Sequence, residues 1–363
     1  MGILPLAHVF ELIAESVCLL GGVPVGYSSP NTLIDTSTKI MRGSKGDASV
    51  LRPTAMSLVP LILDRVSKGI TDKVNSSSAI QKAIFNFAYN YKSKWTRRGY
   101  TTPLIDLIVF KKVSKLLGGR VRLIVSGGAP LSIDVHEKAR LCLCIDVLQG
   151  YGLTETCAGS ACMDKWDMKY GHVGAAFAAN DLRLMNWEEG NYLVTNKPNP
   201  QGEICLGGDN VSVGYFKRKN EGEFFEEEGR RWFKTGDIGE VLPDGAFKII
   251  DRKKDLVKLQ TGEYVSLGKV EMELKTSSLV DNVCVYADPM KVYCVALVAP
   301  NEKLLLEIGK KLEVEGSFEE LCSNTKVVKA FHKEIVEHGK KSRLLKTDIP
   351  AAITLVKEVW TPD

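Results

Sequence analysis

From Ile80 onward apolar residues return at Ala83, Ile84, Phe87, Tyr91 and Trp95, the spacing of one helical face, behind a serine run Ser76-Ser77-Ser78 suited to an N-terminal cap. That stripe is expected to pack as core. Val121-Arg122-Leu123-Ile124-Val125 has strand texture and leads into Ser126-Gly127-Gly128-Ala129-Pro130 and a helix starting near Ser132. A strand, a glycine turn and a helix form an edge that lets the backbone approach a planar or phosphorylated group. Short β-type runs and amphipathic helices alternate upstream, as in an α/β domain. Between Gly171 and Ile250 the texture changes to short strands divided by turns such as Asn196-Lys197-Pro198-Asn199-Pro200 and Pro243-Asp244-Gly245. This predicts an antiparallel β subdomain. The pattern therefore divides the chain into a large α/β domain over 1–250, its β subdomain at about 171–250, a charged hinge over 251–256, and a smaller α+β domain over 257–363.

Composition supports two domains: 363 residues, 44% hydrophobic and 25% charged, can bury a sizeable core. The net charge of +4 is uneven, because residues 251–363 carry 18 Lys+Arg against 18 Asp+Glu. Lys92 to Arg122 holds nine bases and one acid, Asp106, interleaved with Trp95, Tyr100 and Phe110. Such a segment suits an anionic membrane surface or a phosphorylated ligand, and equally a solvated helix face. No recognised nucleic-acid module accompanies it, so nucleic acid is not an expected partner. The nine cysteines form no C-x-x-C pair and no Cys/His set at zinc spacing, and are expected to be buried free thiols of a reduced compartment. Met1-Gly2-Ile3-Leu4-Pro5-Leu6 has leucine where a myristoylation signal needs Ser or Thr, and it lacks the basic lead of a signal peptide. Ser16 to Tyr27 is too short to span a bilayer, so no transmembrane segment is expected.

Three short segments carry candidate chemistry. Gly150-Tyr151-Gly152-Leu153-Thr154-Glu155 follows the strand-like Ile145 to Leu148. Its glycines free the backbone, Tyr151 offers a flat face to a base, and Thr154 and Glu155 supply a hydroxyl and a carboxylate for phosphate and metal. Alone, it also fits a glycine turn without function. In Trp232-Phe233-Lys234-Thr235-Gly236-Asp237 the aspartate could accept both hydroxyls of a ribose, or simply form a turn. Arg252, in the charged stretch, could pair with ribose or phosphate oxygens, or be a surface arginine.

Order and joint occurrence sharpen these readings. The Gly128-Ala129-Pro130 turn, the Tyr151-Gly152-Leu153-Thr154-Glu155 loop, Gly202-Glu203-Ile204, Thr235-Gly236-Asp237 and Asp251-Arg252 stand in the order found in the adenylate-forming superfamily, which the chain resembles. Leu4-Pro5-Leu6-Ala7-His8-Val9-Phe10-Glu11 and the run from Arg231 to Lys254 look like the fatty-acyl-CoA synthetase signature. Lys258-Leu259-Gln260-Thr261-Gly262-Glu263-Tyr264-Val265 resembles the eukaryotic long-chain class, nearest the branch associated with polyunsaturated acyl chains. The resemblance implies a long-chain fatty acid–CoA ligase acting in two half-reactions. ATP and a fatty acid, with magnesium, first give an acyl-adenylate and pyrophosphate; coenzyme A thiol then displaces AMP. Carried over motif by motif, Gly128, Ala129 and Pro130 back the adenine and Tyr151 stacks on it, with Gly152 also among the nucleotide-binding residues. Thr154 holds the AMP phosphate, Glu155 the magnesium, and Asp237 and Arg252 the ribose. Lys254 is the hinge, Gly262 lines the coenzyme A channel, and His8 sits near the acyl carboxylate, although a histidine satisfied within the core fits His8 as well. The parent enzyme is expected at the cytoplasmic side of intracellular membranes, the endoplasmic reticulum first among them.

The resemblance also leads to an expectation of truncation at both ends. The Ser/Thr/Gly-rich phosphate loop of this superfamily lies upstream of the Leu-Pro-Leu-Ala-His segment, and Gly43-Ser44-Lys45-Gly46 does not fit its spacing. In the family the adenylation lysine lies in a segment that follows a Trp-Thr-Pro like Trp360-Thr361-Pro362, and because the sequence ends at Asp363 that lysine, like the phosphate loop, is expected to be missing. Lys346 and Lys357 precede it. The alternative to a ligase fragment is a non-catalytic product that binds AMP or coenzyme A, or a regulatory interaction protein.

Overall fold

Three apolar runs, Ala55–Leu58 (β1), Leu123–Ser126 (β2) and Asp146–Tyr151 (β3), pair in parallel in a computed structural model of the chain, which describes residues 1–37, 39–41, 43–218, 222–358 and 360. Ala161–Cys162 (β4) and Ala175–Ala176 (β5) extend the sheet antiparallel, in the order β1-β2-β3-β4-β5. Register decides what leaves the sheet together. Leu58 pairs with Ser126, and Ser126 with Gln149, so the glycine segments 127–128 and 150–152 emerge side by side.

Helices cover this sheet. They are Val9–Leu20 (α1), Asp47–Leu51 (α2), Pro60–Asn75 (α3), Ala79–Thr96 (α4), the short Pro103–Ile105 (α5) and Lys111–Ser114 (α6), and Ile133–Leu143 (α7). α3 starts on Pro60 and buries Ile62, Leu63, Val66 and Ile70 at helical spacing, while Ser132 caps α7 by accepting from the Val135 N–H. Leu58, Leu63, Phe110, Ile124, Leu143 and Val147 are the fully enclosed centre.

α4 forms where the periodicity placed it, with Ser78 and Gln81 in a reciprocal capping box, but its faces are the reverse of the expectation. Ile80, Ala83, Ile84, Phe87 and Tyr91 are exposed; Phe85, Ala88, Tyr89 and Lys92 face the core. The cause is Lys92. Its ammonium donates to the Leu141 carbonyl at 2.7 Å and to Cys144 Sγ at 3.0 Å, pairs with Asp106 at 2.5 Å, and lies 5.0 Å from the Phe110 ring. A lysine so fully partnered is stable inside, and reading it as a surface residue inverts the helix.

A second sheet joins Asn180–Met185 (β6), Gln201–Gly208 (β7), Phe224–Glu227 (β8), Arg230–Val241 (β9) and Phe247–Arg252 (β10) in the order β10-β9-β7-β6, with β8 on β9. The chain clusters into two compact units: Met1–Thr235 with Gly239–Ile249, and Gly236–Ile238 with the segment from Ile250 onward. The second unit holds the hairpin Leu256–Lys258 (β11) and Tyr264–Ser266 (β12), then Leu267–Lys275 (α8). Val280–Ala287 (β13), Cys294–Pro300 (β14) and Ala352–Leu355 (β15) form its three-stranded sheet, with Glu302–Lys311 (α9), Phe318–Ser323 (α10) and Thr325–Lys341 (α11). α11 buries Val327, Phe331, Ile335 and Gly339, one residue per turn, while β13, against which α8 packs, buries alternate positions Val283, Val285 and Ala287.

All nine cysteines are free, but the expectation that they are buried holds only in part. Cys142, Cys205, Cys294 and Cys322 are buried, whereas Cys144, Cys157 and Cys284 are exposed. Cys144 and Cys157 each adopt a positive φ, of 57° and 52°, where the chain turns at the surface. Among the described residues no helix is long and apolar enough to cross a membrane. Of the Trp360-Thr361-Pro362 segment, Thr361 and Pro362 lie outside the described residues, as does Asp363.

Candidate functional site

At the start of α1 the His8 side chain is the N-cap, its Nδ1 accepting from the Phe10 N–H at 3.1 Å. An accepting Nδ1 leaves the proton of the neutral ring on Nε2. His8 is exposed, so the alternative of a histidine enclosed in the core does not apply. The ring lies beside the β2 turn: a Cβ added at Gly128 would stand 3.8 Å from His8 Nε2. Gly128 has φ +82°, a conformation glycine adopts without steric cost, and Gly128, Ala129 and Pro130 are all exposed.

What fixes α1 against the sheet is Glu11, which the sequence reading did not single out. It is 1% exposed, and its Oε2 accepts from Ser57 Oγ at 3.1 Å and from the Leu4 N–H at 3.4 Å. A buried carboxylate held by donors from β1 and from the preceding segment locks the helix start, and with it His8. Beneath lies an apolar cavity of about 370 Å³. α1 contributes Phe10, Ala14 and Val17, the sheet contributes Met56 and Val125, and His8, Gly128 and Tyr151 also line it.

The loop after β3 folds back on itself. Ser160 N–H donates to the Tyr151 carbonyl at 2.8 Å, and a Cβ at Gly152 would fall 1.5 Å from the Ala158 carbonyl oxygen. Glycine at 152 is thus demanded by the loop's own closure. Thr154–Thr156 make a single 3-10 turn, followed by Cys157 and Ala158 at φ 52° and 78°. Left-handed residues other than glycine cost on the order of 1–3 kcal/mol each and persist where surrounding bonds over-determine them. Here Asn210 Nδ2 donates to the Thr156 carbonyl at 3.1 Å and Ser212 N–H to the Glu155 carbonyl at 2.8 Å.

Thr154 is exposed and Glu155 half-buried. Glu155 Oε1 accepts from the Tyr215 hydroxyl at 2.6 Å. Burial and the adjacent carboxylate push the Tyr215 phenol up to about 12, so it remains a donor. Tyr215 sits 60 residues downstream of its partner, and no spacing in the sequence announces the pair. Among the described residues no group of three His, Cys, Asp or Glu forms a ready metal site. A single carboxylate such as Glu155 fits magnesium, which commonly takes one or two carboxylates together with substrate phosphates.

The second unit brings Asp237 and Arg252 together. Asp237 is 4% exposed, and Arg252 Nε donates to its Oδ1 at 2.8 Å. Neighbouring Asp251 accepts from Ser266 Oγ at 2.7 Å and from the Arg252 N–H at 2.9 Å, and burial raises its carboxyl above the ordinary range. Lys254 is exposed in the 3-10 turn Lys253–Asp255. Gly262 occupies the β11–β12 turn at φ +87°, exposed. The predicted residues therefore fall into two sets, one in each unit. Of the glycines around Ser44, Gly46 serves packing, since a Cβ there would meet the Ile34 carbonyl carbon at 2.4 Å, and Gly43 turns the chain at φ +89°.

Comparison with known proteins places this geometry in context. The family model for "AMP-binding enzyme" matches residues 1–216. Long chain acyl-CoA synthetase 8 of Arabidopsis thaliana is 46% identical over 370 residues, covering 99% of this chain and 51% of that protein. The adenylation and carrier didomain of a carboxylic acid reductase from Segniliparus rugosus, solved with AMP, superimposes at a TM-score of 0.73 with 24% identity, over 99% of this chain and 43% of its own. O-succinylbenzoate coenzyme A synthetase of Bacillus subtilis, solved with ATP and magnesium ion, gives 0.59 with 20% identity, over 98% and 57%. Both structures support the adenylate-forming α/β fold that the sequence led us to expect. The chain spans about half the length of the curated relatives it matches.

Proposed function

The chain belongs to the AMP-binding enzyme family, and from that premise we propose that it serves long-chain fatty acid–CoA ligation. ATP and a long-chain fatty acid give an acyl-adenylate and pyrophosphate; the coenzyme A thiolate then attacks the acyl carbonyl, and the mixed anhydride bond breaks to release AMP. The observation that carries the reading is the meeting of His8 and the Gly128 turn at an apolar cavity in one unit. It agrees with the name of the 46% identical relative.

In this reading the cavity takes the acyl chain and the His8 Nε2–H donates toward the acyl carboxylate. Gly128, Ala129 and Pro130 back the adenine while Tyr151 stacks on it and Gly152 lets the loop close beside it. Thr154 holds the AMP phosphate through its exposed hydroxyl. Glu155, oriented by Tyr215, would hold magnesium, whose charge neutralises that developing on the leaving pyrophosphate. In the second unit Asp237 accepts from the ribose hydroxyls and Arg252 aligns that carboxylate; Lys254 is the hinge and Gly262 lines the path of coenzyme A. The parent enzyme works at the cytoplasmic face of intracellular membranes such as the endoplasmic reticulum, with the exposed bases of the Lys92 to Arg122 segment in contact with the membrane surface.

A direct test supplies the protein with a preformed long-chain acyl-adenylate and coenzyme A. Thioester should form, and Thr154→Ala should slow it by about tenfold, the loss of one hydrogen bond to a charged group at roughly 1.5 kcal/mol. AMP binding without any thioester would favour the non-catalytic reading. Neither AMP binding nor thioester would refute both.

A further inference from the structure

The face that α4 turns to solvent combines aliphatic, aromatic and basic side chains. Ile80, Ile84, Phe87 and Tyr91 recur at steps of four, three and four and are 73%, 53%, 67% and 41% exposed. Steps of three and four put them on one helical face. Phe87, Tyr91, Trp95 and Tyr100 continue it as a ladder, with successive ring centroids 6.2, 6.0 and 5.5 Å apart. Leu104, Leu107 and Ile108, which follow in the chain, are exposed as well.

Charge identifies the partner. Between Asp72 and Asp134 the chain has a single acid, Asp106, against eleven lysines and arginines. Asp106 is held by the buried Lys92, and Glu137 offsets Arg97. Lys82, Lys94, Arg98, Lys111, Lys112 and Lys115 remain exposed to solvent along this segment. α1 makes the contrast: it too exposes Leu12, Val17 and Leu20, but its charged residues are Glu11 and Glu15. Exposed apolar side chains beside excess positive charge match a bilayer interface, which takes the side chains into the headgroup–acyl boundary and meets the cations with lipid phosphates. A nucleic acid meets the cations but offers no place for Ile80 and Ile84.

We propose that α4 docks on an anionic lipid surface, inserting Ile80, Ile84, Phe87 and Tyr91, with the neighbouring bases paired to lipid headgroups. The proposal rests on the membrane contact stated above and is independent of the ligase chemistry. Flotation of the protein with phosphatidylcholine vesicles, with and without phosphatidylserine, tests it. Binding should require phosphatidylserine and fall at least tenfold in I84E/F87E, both exposed positions, and in K111E/K112E/K115E. AMP titration of the same samples should be unchanged in both variants, which separates failure of docking from failure of the nucleotide site. No binding of the unaltered protein to phosphatidylserine vesicles, vesicle binding indifferent to I84E/F87E, or capture by single-stranded RNA in place of vesicles would each overturn it.

Discussion

Tyr215 and Glu155 illustrate what a residue-level reading can and cannot supply. The Thr154-Glu155 pair is legible because its residue types and place after a strand are local facts. The hydroxyl that orients Glu155 comes from 60 residues away and is a product of folding alone. Glu11 is similar, since its donors lie on β1 and in the preceding segment. Gly152 was legible as a glycine, but its reason was not: the Ala158 carbonyl occupies the space of a Cβ. Removing the hydroxyl in Tyr215→Phe should leave AMP binding in place and weaken magnesium-dependent ATP binding by about tenfold, the scale of one charge-assisted hydrogen bond of roughly 1.5–3 kcal/mol. Titrating magnesium at fixed ATP measures it, and an unchanged magnesium dependence would remove Tyr215 from the site.

At the scale of elements, the β2-turn-α7 unit lies where the periodicity placed it, and antiparallel strands β6 to β10 occupy the turn-rich stretch, but β5, expected among them, joins the first sheet through β4. α4 shows where pattern fails. Its start is fixed by a local signal, the Ser78–Gln81 capping box, but its orientation depends on the acceptors that surround Lys92. Two substitutions weigh the opposing faces. Lys92→Met leaves Asp106 and the Leu141 carbonyl without their cation and should cost about 3–5 kcal/mol, as breaking a buried pair does. Ile84→Ser, on the exposed face, should stay within about 0.5 kcal/mol. Urea denaturation distinguishes them, and a larger loss at Ile84 than at Lys92 would restore the face that the stripe predicted.

For the molecule as a whole, acid should act first through the large unit. His136 is fully enclosed, its Nε2 2.7 Å from the Val147 carbonyl, and burial lowers it from the usual 6.5 to about 4. The folded state keeps the ring neutral while the unfolded chain takes up a proton as pH falls below 6.5. Stability is therefore intact above that pH, declines from about 6.5 to about 4, and levels off beneath. The contribution is roughly 3 kcal/mol across the window. Urea midpoints at pH 7.5 and pH 4.5 should converge in His136→Gln relative to the unaltered protein; an equal acid loss in both would assign the effect to other groups.

Near the start of the second unit the sequence carried one signal, the charged stretch over 251–256 read as a hinge. The return of Gly236–Ile238 to the second unit had none, because it depends on which strand β10 joins. Under the proposed function the motif residues would hold an adenylate, and the fold adds an apolar cavity lined by His8, Gly128 and Tyr151 of that set. Each buried methylene contributes about 0.8 kcal/mol, so two enclosed carbons already give roughly tenfold in affinity. Calorimetric titration with acyl-sulfamoyladenosines of increasing chain length, stable mimics of the acyl-adenylate, puts nucleotide and chain in one measurement. The long-chain compound should compete with AMP, bind at least tenfold more tightly than the acetyl compound, and lose that advantage in Ala14→Phe, which fills the cavity. Equal affinity for long and short chains, with no effect of Ala14→Phe, would contradict the assignment.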